Sequence, residues 1–539
     1  MGDPRSYNLS ELFEQVVDVA ADRTAVIAAE RRLTYPELDE RANRLAHHLA
    51  ASGVNAGDHV GLHMINGTEY LEAMLAAFKL RAVPVNINYR YVERELEHLY
   101  SYMDLAALIV HRQFAGEASA VVPSVPTLRH VLVVEDGSSA DVPEGWIDYE
   151  SALFDASPER DFTGRTSDDI YVACTGGTTG APKGVLWRHE DIFFGSLGGG
   201  DPTLMQGRIT APDQLAARVP DFGMVMLCTP PLMHVSAHWA AFNAFYGGGT
   251  VVLLPPGAFD PATAWDLMAK ENVNLVVLVG NAMATPLIDR YTAHPVDAPS
   301  LFAIASGGAV LSPAVKQRIK DALPNIMVLD GFGSTETGVA GNDSGAPATD
   351  DVAAGAVFRM DDSSLVLDDD MQPVAPGSGQ IGRLARRGNI PIGYYNDAEK
   401  TAATFVEVDG VRWVLPGDFA SVEPDGAIRL HGRGSASINT GGEKVFPEEV
   451  ESALIAHDDV QDVLVVGVPD ERWGERVVAV VQPRPDRELS FDVLQAHARQ
   501  HLAGYKVPRA MVVVDAVVRA PNGKPDYAWA REQARAAAG

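Results

Sequence analysis

The chain has 539 residues, 46% of them hydrophobic and 21% charged, which is too long for one core and ordinary for a globular protein of about two to four domains. A formal net charge of -29 argues against a general nucleic-acid binder, which presents a basic face, and against an electrostatic hold on an anionic membrane. The two cysteines, Cys174 and Cys228, belong to no CxxC or zinc spacing, which fits a reducing compartment. The polar, acidic start MGDPRSYNLSELFEQ lacks a signal-peptide core, so a cytoplasmic protein is expected.

Along the chain, apolar strands alternate with amphipathic helices, the pattern of an α/β fold. In LTYPELDERANRLAHHLAASG, Thr34 is placed to cap a helix with Glu37 three residues on. Leu38, Ala42, Leu45 and Leu49 then follow at helical spacing. Buried strands are expected at HVGLHMI (59–65), TVVLL (250–254), NLVVLVG (274–280) and NIMVLDGFG (325–333). The longest apolar run, near Leu275 to Leu287, is interrupted by Gly280 and Asn281 and is too short to span a bilayer, so no membrane insertion is expected. Two stretches read as loops. LGGGDPTLMQG (197–207) is glycine-rich, and GSTETGVAGNDSGAPATDDVAAG (333–355) is small and polar throughout. VEPDGAIRLHGRG (422–434) reads as a hairpin around a Pro-Asp-Gly turn. Beyond it the order changes to strand, glycine loop, capped helix and strand, a small unit of about one hundred residues, which puts a domain boundary near Ser435.

The stretch YVACTGGTTGAPKG (171–184) carries the first chemistry. Glycines let backbone N–H groups approach an anion, threonine hydroxyls add donors, and Lys183 adds a point charge suited to phosphate. The preceding residues read as a strand, and α/β proteins bind ligands at strand ends. The order Pro182-Lys183-Gly184 is not a Walker loop, and by composition alone a surface loop is the commoner reading.

Six further segments change that weighting. TGGTTGAPKG resembles the phosphate signature of the adenylate-forming superfamily (acyl-CoA synthetases, aryl-CoA ligases, luciferases and adenylation domains). In the family's order there follow PLMHVSAHW (231–239), SGGAVL (306–311), GFGSTET (331–337), WVLPGDFA (413–420), LHGRGSASINTGGEKVFPEEVE (430–451) and PNGKPD (521–526). The resemblance covers nearly the whole chain. It implies a large multi-layer N-terminal region of mixed sheets with helices, residues 1–434, and a small mobile α+β C-terminal domain, residues 435–539.

The resemblance also implies the roles. Thr175, Gly176, Gly177, Thr178, Thr179, Gly180 and Lys183 would cradle pyrophosphate, and Gly307, Gly308, Ala309, Asp330, Gly331 and Phe332 would surround adenine. Phe332 stands where the family usually has Tyr, and stacking needs only a π-face. Thr335 would donate to the α-phosphate, and Glu336 would be the Mg²⁺ ligand, since one carboxylate with ATP phosphates suits that ion. Asp418 and Arg433 would hold the ribose, and His234 would belong to the acyl site. Lys524 would reach both the substrate carboxylate and the α-phosphate. Gly441, Gly442 and Lys444 would enter for the second half-reaction, after the small domain rotates. Lysine is scarce against arginine here, yet Lys183, Lys444 and Lys524 all sit inside glycine-containing motifs.

The implied reaction joins a carboxylic acid to ATP, giving acyl-adenylate and pyrophosphate, and then to the thiol of CoA. The stretch GVLWRHEDIFFGSLGGGD (184–201) looks like that of actinobacterial ligases for fatty or steroid side-chain acids. An aryl acid is the second expectation, and an acyl-AMP ligase loading a carrier protein is the third. Relatives of this kind are often dimers, which makes a homodimer an expectation of the resemblance alone. Besides Phe332, three positions depart from the family pattern: Gly176 replaces a frequent Ser, Ser435 a hinge Asp or Lys, and Asn439 a frequent Lys.

Overall fold

Thr34 accepts the backbone N–H of Glu37 while the Glu37 carboxylate takes the Thr34 N–H at 2.7 Å, and this closed capping box starts the helix Tyr35–Ala51. Its stripe of Leu38, Ala42, Leu45 and Leu49 is fully buried. The computed structural model describes residues 5–175, 182–201, 206–343, 357–440, 443–470, 474–520 and 523–537.

The largest sheet has a parallel half, in the spatial order Thr24–Ala28, Thr250–Leu253, Val225–Cys228, Leu275–Leu278, Ala303–Gly307 and Met327–Ser334. These strands are rich in β-branched residues and are covered by crossover helices, the usual state of a parallel sheet. From Val225–Cys228 the chain passes to Thr250–Leu253 on one side and then to Leu275–Leu278 on the other. Such a reversal leaves a crevice at the carboxyl ends of the strands, where ligands bind. After Met327–Ser334 the sheet turns antiparallel through Gly338–Asp343, Val357–Met360, Ile428–Arg433 and Asp418–Val422.

A second sheet is wholly parallel, in the order Val83–Asn86, His59–His63, Leu105–His111, His130–Val134 and Ile147–Asp148. A third joins Ile170–Thr175 to Lys183–Arg188, and that strand to Gly393–Tyr394, all antiparallel. The strands from Ile438 onward form a sheet of their own, built on the long hairpin Val460–Asp470 and Gly474–Pro483. One face of it buries Val463, Val465, Val477 and Ala479 with Val450 and Leu454 of the helix Pro447–Ile455. The other buries Leu464, Val466, Val478 and Val480 with Ala530 and Ala534 of the helix Tyr527–Ala536.

The stretch 333–355, read as a loop, is in part a strand. Gly338–Asp343 pairs with Met327–Ser334 on one side and with Val357–Met360 on the other. Its small polar residues gave no hydrophobic signal, but two hydrogen-bonded neighbours hold a strand that its own side chains would not. No helix of the described residues is long and apolar enough to cross a membrane.

Candidate active site

The crevice is a cavity of about 1810 Å³ lined by both the large sheets and the C-terminal unit. Gly307, Gly308 and Ala309 line it, as do Asp330, Gly331 and Phe332 from the neighbouring parallel strand. Asp330 is buried and ion-paired with Lys316 Nζ at 2.6 Å. The Phe332 ring lies 5.6 Å from that of Phe358 and packs on a small core around Leu384 and Ala420, so it serves as both core residue and cavity wall.

Thr335 and Glu336 stand at the tip of the hairpin joining Met327–Ser334 to Gly338–Asp343. Here Ser334 pairs with Gly338, and Thr337 Oγ1 accepts the Ser334 N–H at 2.9 Å. A Cβ on Gly333 would fall 2.1 Å from the Gly338 carbonyl oxygen, so only glycine permits this turn. The tip is fixed from outside as well. The Trp187 indole donates to the Thr335 carbonyl at 3.0 Å, and the Tyr394 hydroxyl donates to Glu336 Oε1 at 2.9 Å. Tyr394 arrives because Gly393–Tyr394 pairs with Val185 and Leu186, two residues beyond Lys183. Lys183 itself pairs with Asp397 at 3.3 Å and lines the same cavity.

Asp418 is buried, lines the cavity, and stands in register with Arg433 on the neighbouring strand. His234 follows Val225–Cys228 at the crevice and occupies the cap position of the helix Val235–Tyr246. Its Nε2 is buried without a hydrogen-bond partner among the described residues. Burial, and then the charge of Lys524, lower its pKa to about 3, so it is a neutral imidazole. Lys524 reaches the cavity on a tight turn in which the Ala520 N–H donates to the Lys524 carbonyl at 2.9 Å. Arg519 anchors the turn by a two-pronged pair with Asp462, both contacts at 2.7 Å, and donates to the Gly523 carbonyl at 3.3 Å. The turn presses on the rim of the large domain. A Cβ on Gly523 would lie 3.0 Å from the Val279 carbonyl oxygen and 3.2 Å from Ala282 Cβ.

Beside His234 the cavity has an apolar branch, lined by Met226, Leu275 and Val277 of the sheet and by Trp239, Ala240 and Ala244 of the helix Val235–Tyr246. Among the described residues no three His, Cys, Asp or Glu converge on one point. The Glu336 carboxylate therefore fits a hard cation that takes its other oxygens from phosphate and water.

Thus Lys183, His234, Gly307, Gly308, Ala309, Asp330, Gly331, Phe332, Thr335, Glu336, Asp418 and Lys524 line one cavity. Gly176, Gly177, Thr178, Thr179, Gly180, Gly441 and Gly442 lie outside the described residues, and of Thr175, Arg433 and Lys444 only the backbone is described. Thr175 pairs with Lys183, and Lys444 with Asn439. Sequence reasoning missed Trp187, Tyr394, Asp397 and Lys400. The signal available for the last three was local: Asp397 caps the helix Ala398–Thr404 just beyond a Gly-Tyr pair.

The family model described as "AMP-binding enzyme" matches residues 13–395, and that of the "AMP-binding enzyme C-terminal domain" matches residues 449–524. The chain is 47% identical over 534 residues to 3-oxocholest-4-en-26-oate--CoA ligase of Rhodococcus rhodochrous, covering 98% of this chain and 96% of that one. It is 46% identical over 531 residues to a medium/long-chain-fatty-acid--CoA/3-oxocholest-4-en-26-oate--CoA ligase of Mycobacterium tuberculosis, with the same coverage. The fold matches the anthranilate CoA ligase AuaEII in complex with anthranoyl-AMP at a TM-score of 0.85 and 23% identity, covering 99% of this chain and 98% of that one. With both family models matched in order, one on either side of the crevice, the chain belongs to the AMP-binding enzyme family.

Proposed function

We propose that the chain is a cytoplasmic, ATP-dependent acyl-CoA synthetase for medium- or long-chain fatty acids or steroid side-chain acids. One observation carries this reading: Lys524, His234, Glu336 and Asp418 line one cavity that also includes this apolar branch. An acid with a bulky apolar body fits that branch, with its carboxylate at Lys524. The relatives named for fatty and steroid acids support the same substrate class.

The first half-reaction needs no protein nucleophile, because the substrate carboxylate attacks the α-phosphorus of ATP and pyrophosphate leaves. The protein must align two anions and offset the charge that develops. Lys524 meets both the carboxylate and the α-phosphate, a task for a compact ammonium on a flexible stem. Phe332 and Gly307 to Ala309 enclose adenine, and Asp418 with Arg433 accepts and positions the ribose. The loop from Thr175 to Gly180, with Lys183, takes the β- and γ-phosphates. Thr335 donates to the α-phosphate, and Glu336 would hold Mg²⁺, whose contribution when bound is to neutralise phosphate charge. His234, being neutral, closes the acyl branch without competing for the carboxylate.

In the second half-reaction residues 435–539 turn as a unit about Gly434 and Ser435. Lys524 withdraws, the segment with Gly441, Gly442 and Lys444 enters, and the CoA thiol attacks the adenylate carbonyl and releases AMP.

The test is incubation with MgATP and a panel of fatty, aryl and steroid side-chain acids, with and without CoA, reading products by mass. Acyl-CoA from long or steroid acids is expected, and no adenylate from any acid would sink the reading. Lys524→Ala should lower adenylation by about a hundredfold, the effect of losing one preorganised donor worth about 3 kcal/mol. Thioester formation from supplied acyl-adenylate should survive in that variant. Equal loss of both steps contradicts the assigned role.

A further inference from the structure

Two ammonium groups share one side of the cavity near Glu336. Lys183 stands 5.9 Å from the centre of the Tyr394 ring, and Lys400 stands 4.9 Å from the same ring. Both lysines line the cavity. The ion pair formed by Lys183 goes to Asp397, and Asp397 also accepts the backbone N–H of Lys400 at 3.0 Å as cap of its helix. Lys400 makes no carboxylate ion pair among the described residues. Two like charges at one aromatic ring, with Asp397 ion-paired to the first and only the longer-range charges of Asp397 and Glu336 acting on the second, are held against their repulsion by the fold. The Gly393–Tyr394 strand docks on Lys183–Arg188, and the helix Ala398–Thr404 follows it directly, so the pair is set by backbone pairing rather than by chance surface contact.

We propose that Lys400 is a second cation for the pyrophosphate end of ATP, acting beside Lys183 on the β- and γ-phosphates and on the departing pyrophosphate. The assignment rests on the nucleotide site described above. A polyanion with two or more charges relieves the repulsion that one carboxylate leaves, which a single-charged α-phosphate would do less well. Burial, and then the neighbouring Lys183, lower the pKa of Lys400, as expected of a cation waiting for its counter-charge. The Tyr394 hydroxyl holds the Glu336 carboxylate, whose charge also reaches Lys400.

The test uses the full chain and calorimetric titration with magnesium pyrophosphate, AMP and CoA. Lys400→Met should weaken pyrophosphate binding by about tenfold, the usual effect of removing one charged donor, and raise the KM for ATP similarly. AMP binding should stay within about twofold, and Lys400→Arg should recover most of the loss by restoring the charge. Unchanged pyrophosphate affinity overturns the proposal, as does an equal loss of AMP and pyrophosphate, or a loss confined to CoA. Failure of the unaltered protein to bind AMP overturns the nucleotide site itself and this assignment with it.

Discussion

Tyr394 does two jobs with one side chain: its hydroxyl holds Glu336 Oε1 at 2.9 Å and its ring faces the two lysines. Tyr394→Phe separates them, since the ring face remains and the hydroxyl goes. Freeing Glu336 by one hydrogen bond, about 0.5–1.5 kcal/mol, should raise the KM for ATP about three- to tenfold. It should also shift the Mg²⁺ concentration at half-maximal rate upward, with the melting temperature nearly unchanged. A rate curve against Mg²⁺ that superimposes on that of the parent would show that the hydroxyl does not position Glu336. Thr335, Glu336, Asp418 and Lys524 were legible in sequence because each sits in a short motif with its own glycine or acid neighbour. Tyr394 and Trp187 were not, because their partners at Glu336 and Thr335 lie far away in sequence. Only the pairing of Gly393 with Leu186 brings them together.

The helix Val235–Tyr246 shows the same division at the scale of an element. His234, at its cap, was readable from its motif. The channel it forms was not, because a crossover helix normally packs bulky residues against its sheet. Here Ser236, Ala240, Asn243 and Ala244 recur at helical spacing on the cavity side, with Trp239 the one bulky residue among them, and Leu275 and Val277 line the same cavity. The small face is what leaves the branch open. Ala240→Phe projects a ring into it, so it should raise the KM for long-chain and steroid acids by about tenfold or more while leaving a six-carbon acid nearly unaffected. Steady-state rates across acids of increasing length decide this. A uniform loss for all lengths would mean that the acyl group lies elsewhere. The strand Gly338–Asp343 was missed for a related reason: its stability comes from hydrogen-bonded neighbours on both sides, and a sequence of small polar residues carries no trace of them.

At the scale of the whole molecule Lys524 lines the cavity, the arrangement that the proposed adenylating step requires. Among the described residues, the small domain meets the large one through the Gly523 turn on Val279 and Ala282, through Phe446 beside the rings of Phe419 and His431, and through an ion pair between Arg484 and Asp289 at 3.7 Å. The Cβ position of Gly523 lies 3.2 Å from Ala282 Cβ, just inside the roughly 3.5–4.5 Å Cβ separation of disulfides, so a shift of a few tenths of an ångström, with some strain at the φ of +70°, brings the two into bonding range. Ala282→Cys with Gly523→Cys therefore offers a reversible clasp. The native Cys174 and Cys228 are buried and do not compete. In the oxidised double variant a single turnover with MgATP and acid should still release pyrophosphate and accumulate acyl-adenylate. Transfer to CoA should fall by about a hundredfold, because the second active-site arrangement cannot form, and dithiothreitol should restore it. If oxidised protein forms thioester as fast as reduced protein, residues 435–539 need not turn between the half-reactions, and both must then be carried out with Lys524 in place.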